Sequence, residues 1–424
     1  MPRKSTATLS DMGVGENSTS ASGYLIANPG ALKVLAVTLS TEPAGTDHSL
    51  RNLAYAGDWD SVHITLAGPG GTGLEEWWRD SGFAYLPLDL TERSGFSNPA
   101  NGARTPAREL ARSMAGTIRS ARVIAGVAGR FDLIHSNWLF SHLDVTLAGR
   151  LTRTPVLLEL HDILPAGIGR HLLSGAVACS NGGIAISNAV ARQLGKSARA
   201  KTKVIHQGID TARFSPGAVS REHRQALLGE APGTEPVLAA IIGRFDPKKG
   251  LATAIEATAI ARTTHGIDLR LALIGAPSED GGGYEAQMRC LAAELIPSAH
   301  TFSGPSADVP TILRSVDILI VSSFDEPFGL IAAEAQACGI PVVVSDSGGL
   351  PEFVLDGATG YVFPTGDAAA AADAMARLAS DANLRRQFGR AGRASIVSRY
   401  DIGMRATAMH AEYARVSGGR RRPA

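Results

Sequence analysis

From Leu32 onward, short apolar runs of strand length alternate with longer amphipathic stretches of helix length. In the first half the runs are Leu32–Leu39, Val62–Ala67, Phe83–Leu88, Leu133–His135, Val156–Leu160 and Gly183–Ile186. Such alternation predicts a parallel sheet wrapped by helices. Around Lys203–Pro216 the rhythm breaks into one strand followed by turn residues. It restarts with Val237–Ile242, Leu269–Ile274, His300–Phe302, Ile318–Val321, Val342–Ser345 and Gly360–Phe363. Two open α/β units joined near residue 215 account for the pattern. Ligands of such sheets bind at the carboxyl ends of the strands, so a facing pair would enclose a cleft. The predicted divisions are a disordered tail (1–30), a first unit (31–214), a second unit (215–400), a last helix packing back toward the first unit (401–417) and a basic tail (418–424).

Composition narrows the classes. A chain of 424 residues, 44% hydrophobic and 19% charged, has enough apolar material for two or three domain cores. Lys plus Arg number 41 against 40 Asp plus Glu, which argues against a nucleic-acid-coating protein. Cys179, Cys290 and Cys338 are far apart and form neither a disulfide framework nor a metal motif. No apolar run approaches the ~20 residues of a membrane span, and the first 30 residues lack the apolar core of a signal peptide. The expectation is a soluble, cytoplasmic, multi-domain α/β protein.

Candidate chemistry concentrates in Ser322–Val354. Pro327 is favoured in a helix's first turn. The amides of Phe328, Gly329 and Leu330 would then be unpaired helix-start donors aimed where an anion sits, and Gly329 permits close backbone approach. Glu326 falls in the preceding loop, while Glu334 falls a turn and a half inside the helix, roughly 9 Å along. Carboxylates staggered in this way suit hydroxyls at separated points of one long ligand. After Val237–Ile242, the turn Gly243–Gly250 carries Arg244, Lys248 and Lys249. A strand-to-helix turn with an arginine and a lysine suits a diphosphate, and Lys248 is the weaker candidate. His161 ends the run Val156–Leu160, where ligands gather.

The run Glu326-Pro327-Phe328-Gly329-Leu330 through Glu334 resembles the paired-glutamate signature of the retaining glycosyltransferases of family 4. The continuation through Gly348-Gly349-Leu350-Pro351-Glu352 to Pro364 is similar to that family over its length, and the resemblance covers about residues 32–416. It implies the GT-B fold, an α/β architecture of two facing Rossmann-like domains, the first binding the acceptor and the second the nucleotide sugar. It also implies transfer of a sugar from a nucleotide diphosphate sugar with retention, by front-face attack, without a metal or other cofactor. Arg244 and Lys249 would stabilise the departing phosphate, and His161 would face the donor sugar. Glu326 would hold sugar hydroxyls and Glu334 the ribose diol, with Ser306 and Asp308 placed to read the base. Gly45 would approach the phosphates, although Pro43-Ala44-Gly45 stands where the family usually carries two adjacent glycines. Ile186–Val190 and His206–Asp210 read as mainly structural landmarks. Small-molecule, glycan and lipid acceptors stay open, as do the base (UDP, GDP or ADP), peripheral membrane contact and the oligomeric state.

Two further motifs point elsewhere. Gly68-Pro69-Gly70-Gly71-Thr72-Gly73 fits G-x-G-x-x-G, with Asp89 about 20 residues on, the pattern of an NAD-dependent oxidoreductase. The strand before it is the second of its unit, so the loop need not lie where the strand order reverses. Asp58-Trp59-Asp60 matches a metal-binding D-x-D of glycosyltransferases with another fold, at near chance level for three residues. A sugar-nucleotide epimerase or a phosphorylase on the same two-domain fold is the remaining alternative.

Overall fold

A computed structural model of the chain describes residues 30–57, 61–90, 107–229, 236–277 and 282–418. The D-x-D residues Asp58 and Asp60, the tail before residue 30 and the arginines beyond 418 lie outside them.

Among the described residues the first unit is a parallel sheet of β1 (Leu32–Val37), β2 (Val62–Pro69), β3 (Tyr85–Leu88), β4 (Leu133–Ser136), β5 (Val156–Leu160), β6 (Gly182–Ala185) and β7 (Thr202–Val204). Its spatial order is β3-β2-β1-β4-β5-β6-β7. The second sheet, also parallel, holds β8 (Val237–Ile242), β9 (Leu269–Ile274), β10 (His300–Ser303), β11 (Ile318–Val321), β12 (Val342–Ser345) and β13 (Gly360–Phe363), in the order β10-β9-β8-β11-β12-β13. In both sheets the order reverses beside the first strand, between β1 and β4 and between β8 and β11. Loops leaving the carboxyl ends there splay apart and leave a crevice.

The strands are buried along both faces, as parallel strands covered by helices must be. β5, β11 and β12 are buried at every residue. Their near-continuous Val, Ile and Leu follow from that burial; Glu159 in β5 and Ser345 in β12 are the polar exceptions. The last helix, Ile402–Val416, joins the first unit: Ala406, Met409 and Tyr413 share a core with Leu50, Leu53 and Trp78. The chain enters this helix through Ile402, whose amide donates to the Ile209 carbonyl at 2.9 Å. Among the described residues no helix is long and apolar enough to cross a membrane.

Candidate active site

Sequence-predicted residues of the second unit converge at its strand-order reversal. Arg244 and Lys249 follow β8, and Ser323 and Glu326 follow β11. These four line one narrow pocket with Gly243 and Ile331. The loops are stitched together by backbone: the Phe324 amide donates to the Lys248 carbonyl at 2.8 Å, and Ser322 Oγ donates to the Gly250 carbonyl at 2.8 Å. Gly250 adopts φ +66°, and a Cβ there would lie 2.0 Å from the Ser322 carbonyl oxygen. Glycine is required at that crossing.

Lys249 Nζ sits 2.8 Å from Glu326 Oε2, and Ser323 Oγ donates to the same oxygen at 3.0 Å. Among the described residues Glu326 Oε1 accepts no hydrogen bond, and the exposed Arg244 guanidinium has no side-chain or carbonyl partner. The pocket therefore offers one unpaired cation, one shared cation and one free carboxylate oxygen. A second turn holds Glu326 from behind. Its amide donates to Ser347 Oγ at 3.1 Å, and its carbonyl accepts from the Gly349 amide at 2.8 Å.

The helix after β11 begins later than the Pro327 pattern predicts. Leu330 is its first residue, Gly329 caps it at φ +99°, and Pro327 and Phe328 lie in the bend before it. The left-handed Gly329 turns the chain sharply, so the proline's fixed φ serves the bend rather than the helix. Glu334 is consequently about one turn inside, not a turn and a half. Among the described residues the amides of Phe328, Gly329 and Leu330 have no acceptor, so the donor set survives the shift. The Phe328 ring is core, 5.1 Å from Phe353 and 6.1 Å from Tyr400, and brings main chain to the site. Glu334 is half-buried with no hydrogen-bond partner among the described residues, and burial pushes its carboxyl up to about 8.

Ser306 and Asp308 are occupied by their own turn. The Asp308 carboxylate caps the helix Val309–Arg314 by accepting from the Thr311 amide at 3.2 Å, and Ser306 Oγ accepts from the Asp308 amide at 3.2 Å. Their side chains fix the loop's shape.

In the first unit, Gly45 opens the helix Gly45–Ala56 just after β1, with open space where a Cβ would stand. Asp47 closes the turn by accepting from the Ala44 amide at 3.0 Å. His161 lies past the end of β5 with both ring nitrogens engaged: Nδ1 is 3.1 Å from Gln207 Nε2, and Nε2 is 3.1 Å from Asn137 Oδ1. Burial pushes this imidazole down to about 4, so it is neutral at pH 7. Gln207 falls in the His206–Asp210 segment read as structural, while Ser323, Ser347 and Asn137 escape a sequence reading because short polar residues after strands are common. Their only sequence signal is adjacency to Glu326, to Gly348-Gly349 and to β4.

The two units meet at Glu352. Its Oε2 accepts from the Asn188 amide at 2.9 Å, from Asn188 Nδ2 at 2.8 Å and from His206 Nε2 at 2.9 Å, while Oε1 accepts from the Ala189 amide at 2.9 Å. Burial alone would raise this carboxyl, but these donors from His206, Asn188 and Ala189 hold it down to about 2.

The glycine-rich loop after β2 does not fit a dinucleotide. Gly68 and Pro69 are strand residues, and a Cβ on Gly68 would meet Tyr85 Oη at 2.6 Å. The loop follows β2, away from the reversal point. Carboxylates already crowd its helix start: Glu75 Oε2 accepts from the Gly71 amide at 2.9 Å, and a Cβ on Gly73 would lie 2.5 Å from Glu42 Oε2. A pyrophosphate would meet negative charge there.

Comparison with known proteins places this geometry. Residues 229–395 match the family model described as Glycosyl transferases group 1, and residues 89–213 match Glycosyltransferase Family 4. The chain is 30% identical over 325 residues to a D-inositol 3-phosphate glycosyltransferase of Streptomyces bingchenggensis, covering 69% of each chain. The chain belongs to glycosyltransferase family 4. Another family member of that name, from Nocardia farcinica, is 33% identical over 281 residues, 62% of this chain and 61% of that relative. A third, from Saccharomonospora viridis, is 37% identical over 197 residues and is matched over 45% of its length. The fold is that of the solved GT-B glycosyltransferases. The chain superposes on Anabaena HepE in complex with UDP with TM-score 0.74 and 19% identity, over 91% of this chain and 100% of that one. The corresponding values for the sucrose-phosphate synthase of Thermosynechococcus elongatus are 0.70, 20%, 92% and 100%.

Proposed function

We propose that this family 4 member transfers a sugar from a nucleotide diphosphate sugar to a hydroxyl or other nucleophile of an acceptor, with retention and without a metal. The observation that carries the reading is the pocket between β8 and β11, where Arg244 and Lys249 stand with Ser323 and Glu326, and the unpaired amides of Phe328, Gly329 and Leu330 follow Glu326-Pro327 in the chain. Breaking the bond to the diphosphate builds negative charge on the leaving phosphate while the sugar becomes oxocarbenium-like. Preorganised cations and amides stabilise that charge without reorganising. Glu326 keeps Lys249 and Ser323 on Oε2 and offers Oε1 to a sugar hydroxyl. Glu334 meets the ribose diol as a neutral carboxyl. The departing phosphate takes the acceptor's proton on the same face, which needs no protein nucleophile. Among the described residues no three His, Cys, Asp or Glu side chains stand close enough to hold a metal ion.

Names of similar proteins support a nucleotide-sugar donor. HepE was solved with UDP and with UDP-glucose, and the relatives are named for D-inositol 3-phosphate. Those names put UDP-sugars and inositol phosphate first in the panel, with GDP- and ADP-sugars and with sugar and lipid acceptors tried beside them. Incubation in EDTA, with nucleoside diphosphate release followed and product anomers assigned by NMR, tests the proposal. Acceptor-dependent release with retained configuration is expected. Inverted product, or activity abolished by EDTA and restored by Mg²⁺ or Mn²⁺, would overturn the mechanism.

A further inference from the structure

Behind His161 lies a buried polar cluster that the transfer reaction does not use. Glu159, on β5, is 1% exposed, and Arg405, in the first turn of the last helix, is 4% exposed. The Arg405 guanidinium bonds Glu159 Oε1 through one nitrogen and Gln207 Oε1 through the other, which also reaches the His206 carbonyl at 3.3 Å. Ser49 Oγ donates to the same Gln207 oxygen at 2.6 Å.

These contacts settle which way two amides point. Gln207 Oε1 must face Arg405 and Ser49, because the reverse orientation would set its NH₂ against a guanidinium. An amide flipped in that way would leave buried donors unsatisfied at a cost of about 1–3 kcal/mol. Its Nε2 therefore faces His161 Nδ1, at 3.1 Å, and since Nε2 only donates, Nδ1 accepts and carries no proton. Asn137 is fixed independently, because its Nδ2 donates to the Thr46 carbonyl at 2.9 Å and leaves Oδ1 toward His161 Nε2. Glu159 Oε1 stands 3.4 Å from the same Nε2. Both neighbours call for a proton on Nε2.

We propose that Gln207 and Arg405 are positioning residues, which lock His161 as the neutral Nε2–H tautomer with a fixed ring plane at the carboxyl end of β5. The relevance of this lock to catalysis rests on the reading that His161 faces the donor sugar. A neutral ring adds no positive charge beside a forming oxocarbenium centre, and a ring held at both nitrogens keeps one fixed plane there. The low affinity of the buried imidazole for protons agrees with the lock. In this account the last helix, which enters the first unit from the far end of the chain, is part of the site.

The test is long-range ¹H–¹⁵N NMR on the full chain with labelled histidine, the His161 signal being assigned by its loss in His161→Asn. Wild type should show a protonated Nε2 and an unprotonated Nδ1 between pH 6 and 8. This readout needs no transferase activity, so it separates the lock from the proposed reaction. In Gln207→Glu an acceptor replaces the donor, and the proton should move to Nδ1 or the ring should become doubly protonated. If His161 faces the donor, kcat of that variant should fall more than tenfold with donor KM changed less than threefold. A wild-type ring protonated on Nδ1, or a Gln207→Glu signal identical to wild type, overturns the lock. A shifted tautomer with unchanged kcat keeps the lock and overturns the catalytic relevance of His161.

Discussion

Lys249 and Glu334 are charged residues with opposite energetic tasks. In the proposed reaction Lys249 stands where charge builds during bond breaking, so its removal should hurt the transition state more than the ground state. Lys249→Ala is expected to lower kcat on the order of 100-fold, about 2.7 kcal/mol, with a smaller change in donor affinity, read by steady-state kinetics. A solvated surface lysine would leave turnover near wild type. Glu334 is proposed to bind the ribose, far from the reacting bond, and its carboxyl, pushed up to about 8 by burial, is neutral at pH 7. Glutamine imitates that neutral form. Calorimetry at pH 7 should therefore show nucleotide affinity of Glu334→Gln within about threefold of wild type. Glu334→Ala should lose about tenfold, one hydrogen bond of roughly 1.4 kcal/mol. Equal losses in both variants would mean that the ionised form binds. Both residues were legible in the sequence because their types announce their chemistry. Gln207 and Arg405 were not, because their roles depend on which partners the fold brings within 3 Å, across nearly 200 residues of chain.

At the scale of elements, the site is a set of loops held by glycines. Gly348 adopts φ +56°, and a Cβ there would lie 1.9 Å from the Glu326 carbonyl oxygen. Gly348→Ala adds left-handed strain of about 1–2 kcal/mol and forces the turn away from Glu326. It should lower the urea midpoint measurably and remove most transferase activity, whereas an unaltered midpoint would mean that the turn has slack. The strands themselves were readable from their apolar runs, since burial on both faces leaves little choice of residue. The start of the helix at Leu330 was not. Proline's preference for first turns competed with a left-handed Gly329, and the sharp bend toward Leu350 decided the outcome. Likewise Asn188 and His206, read as landmarks, turn out to carry the contact between the units.

For the whole molecule, that contact is Glu352. Its carboxyl is held down to about 2 in the fold against an ordinary value of 4.5, so its stabilisation is full above pH 4.5 and is lost as pH falls through about 2. Hydrogen bonds to a charged group contribute about 1.5–3 kcal/mol when one partner is removed. Glu352→Ala should thus be less stable than wild type at pH 7, and the gap should close between pH 4.5 and 2 in denaturant titrations. A gap that does not narrow would assign the loss to packing. A nucleoside diphosphate is proposed to sit at the second unit's pocket between β8 and β11, held by Arg244, Lys249 and Glu334. Thermal shift across UDP, GDP, ADP and NAD tests it most directly, since a ligand at 100 times its dissociation constant adds about 2.7 kcal/mol of stability. One of the three diphosphates should raise Tm of the wild type, Arg244→Ala should abolish that rise, and NAD should do nothing. No shift with any diphosphate, a shift that survives Arg244→Ala, or a shift with NAD alone would contradict the account.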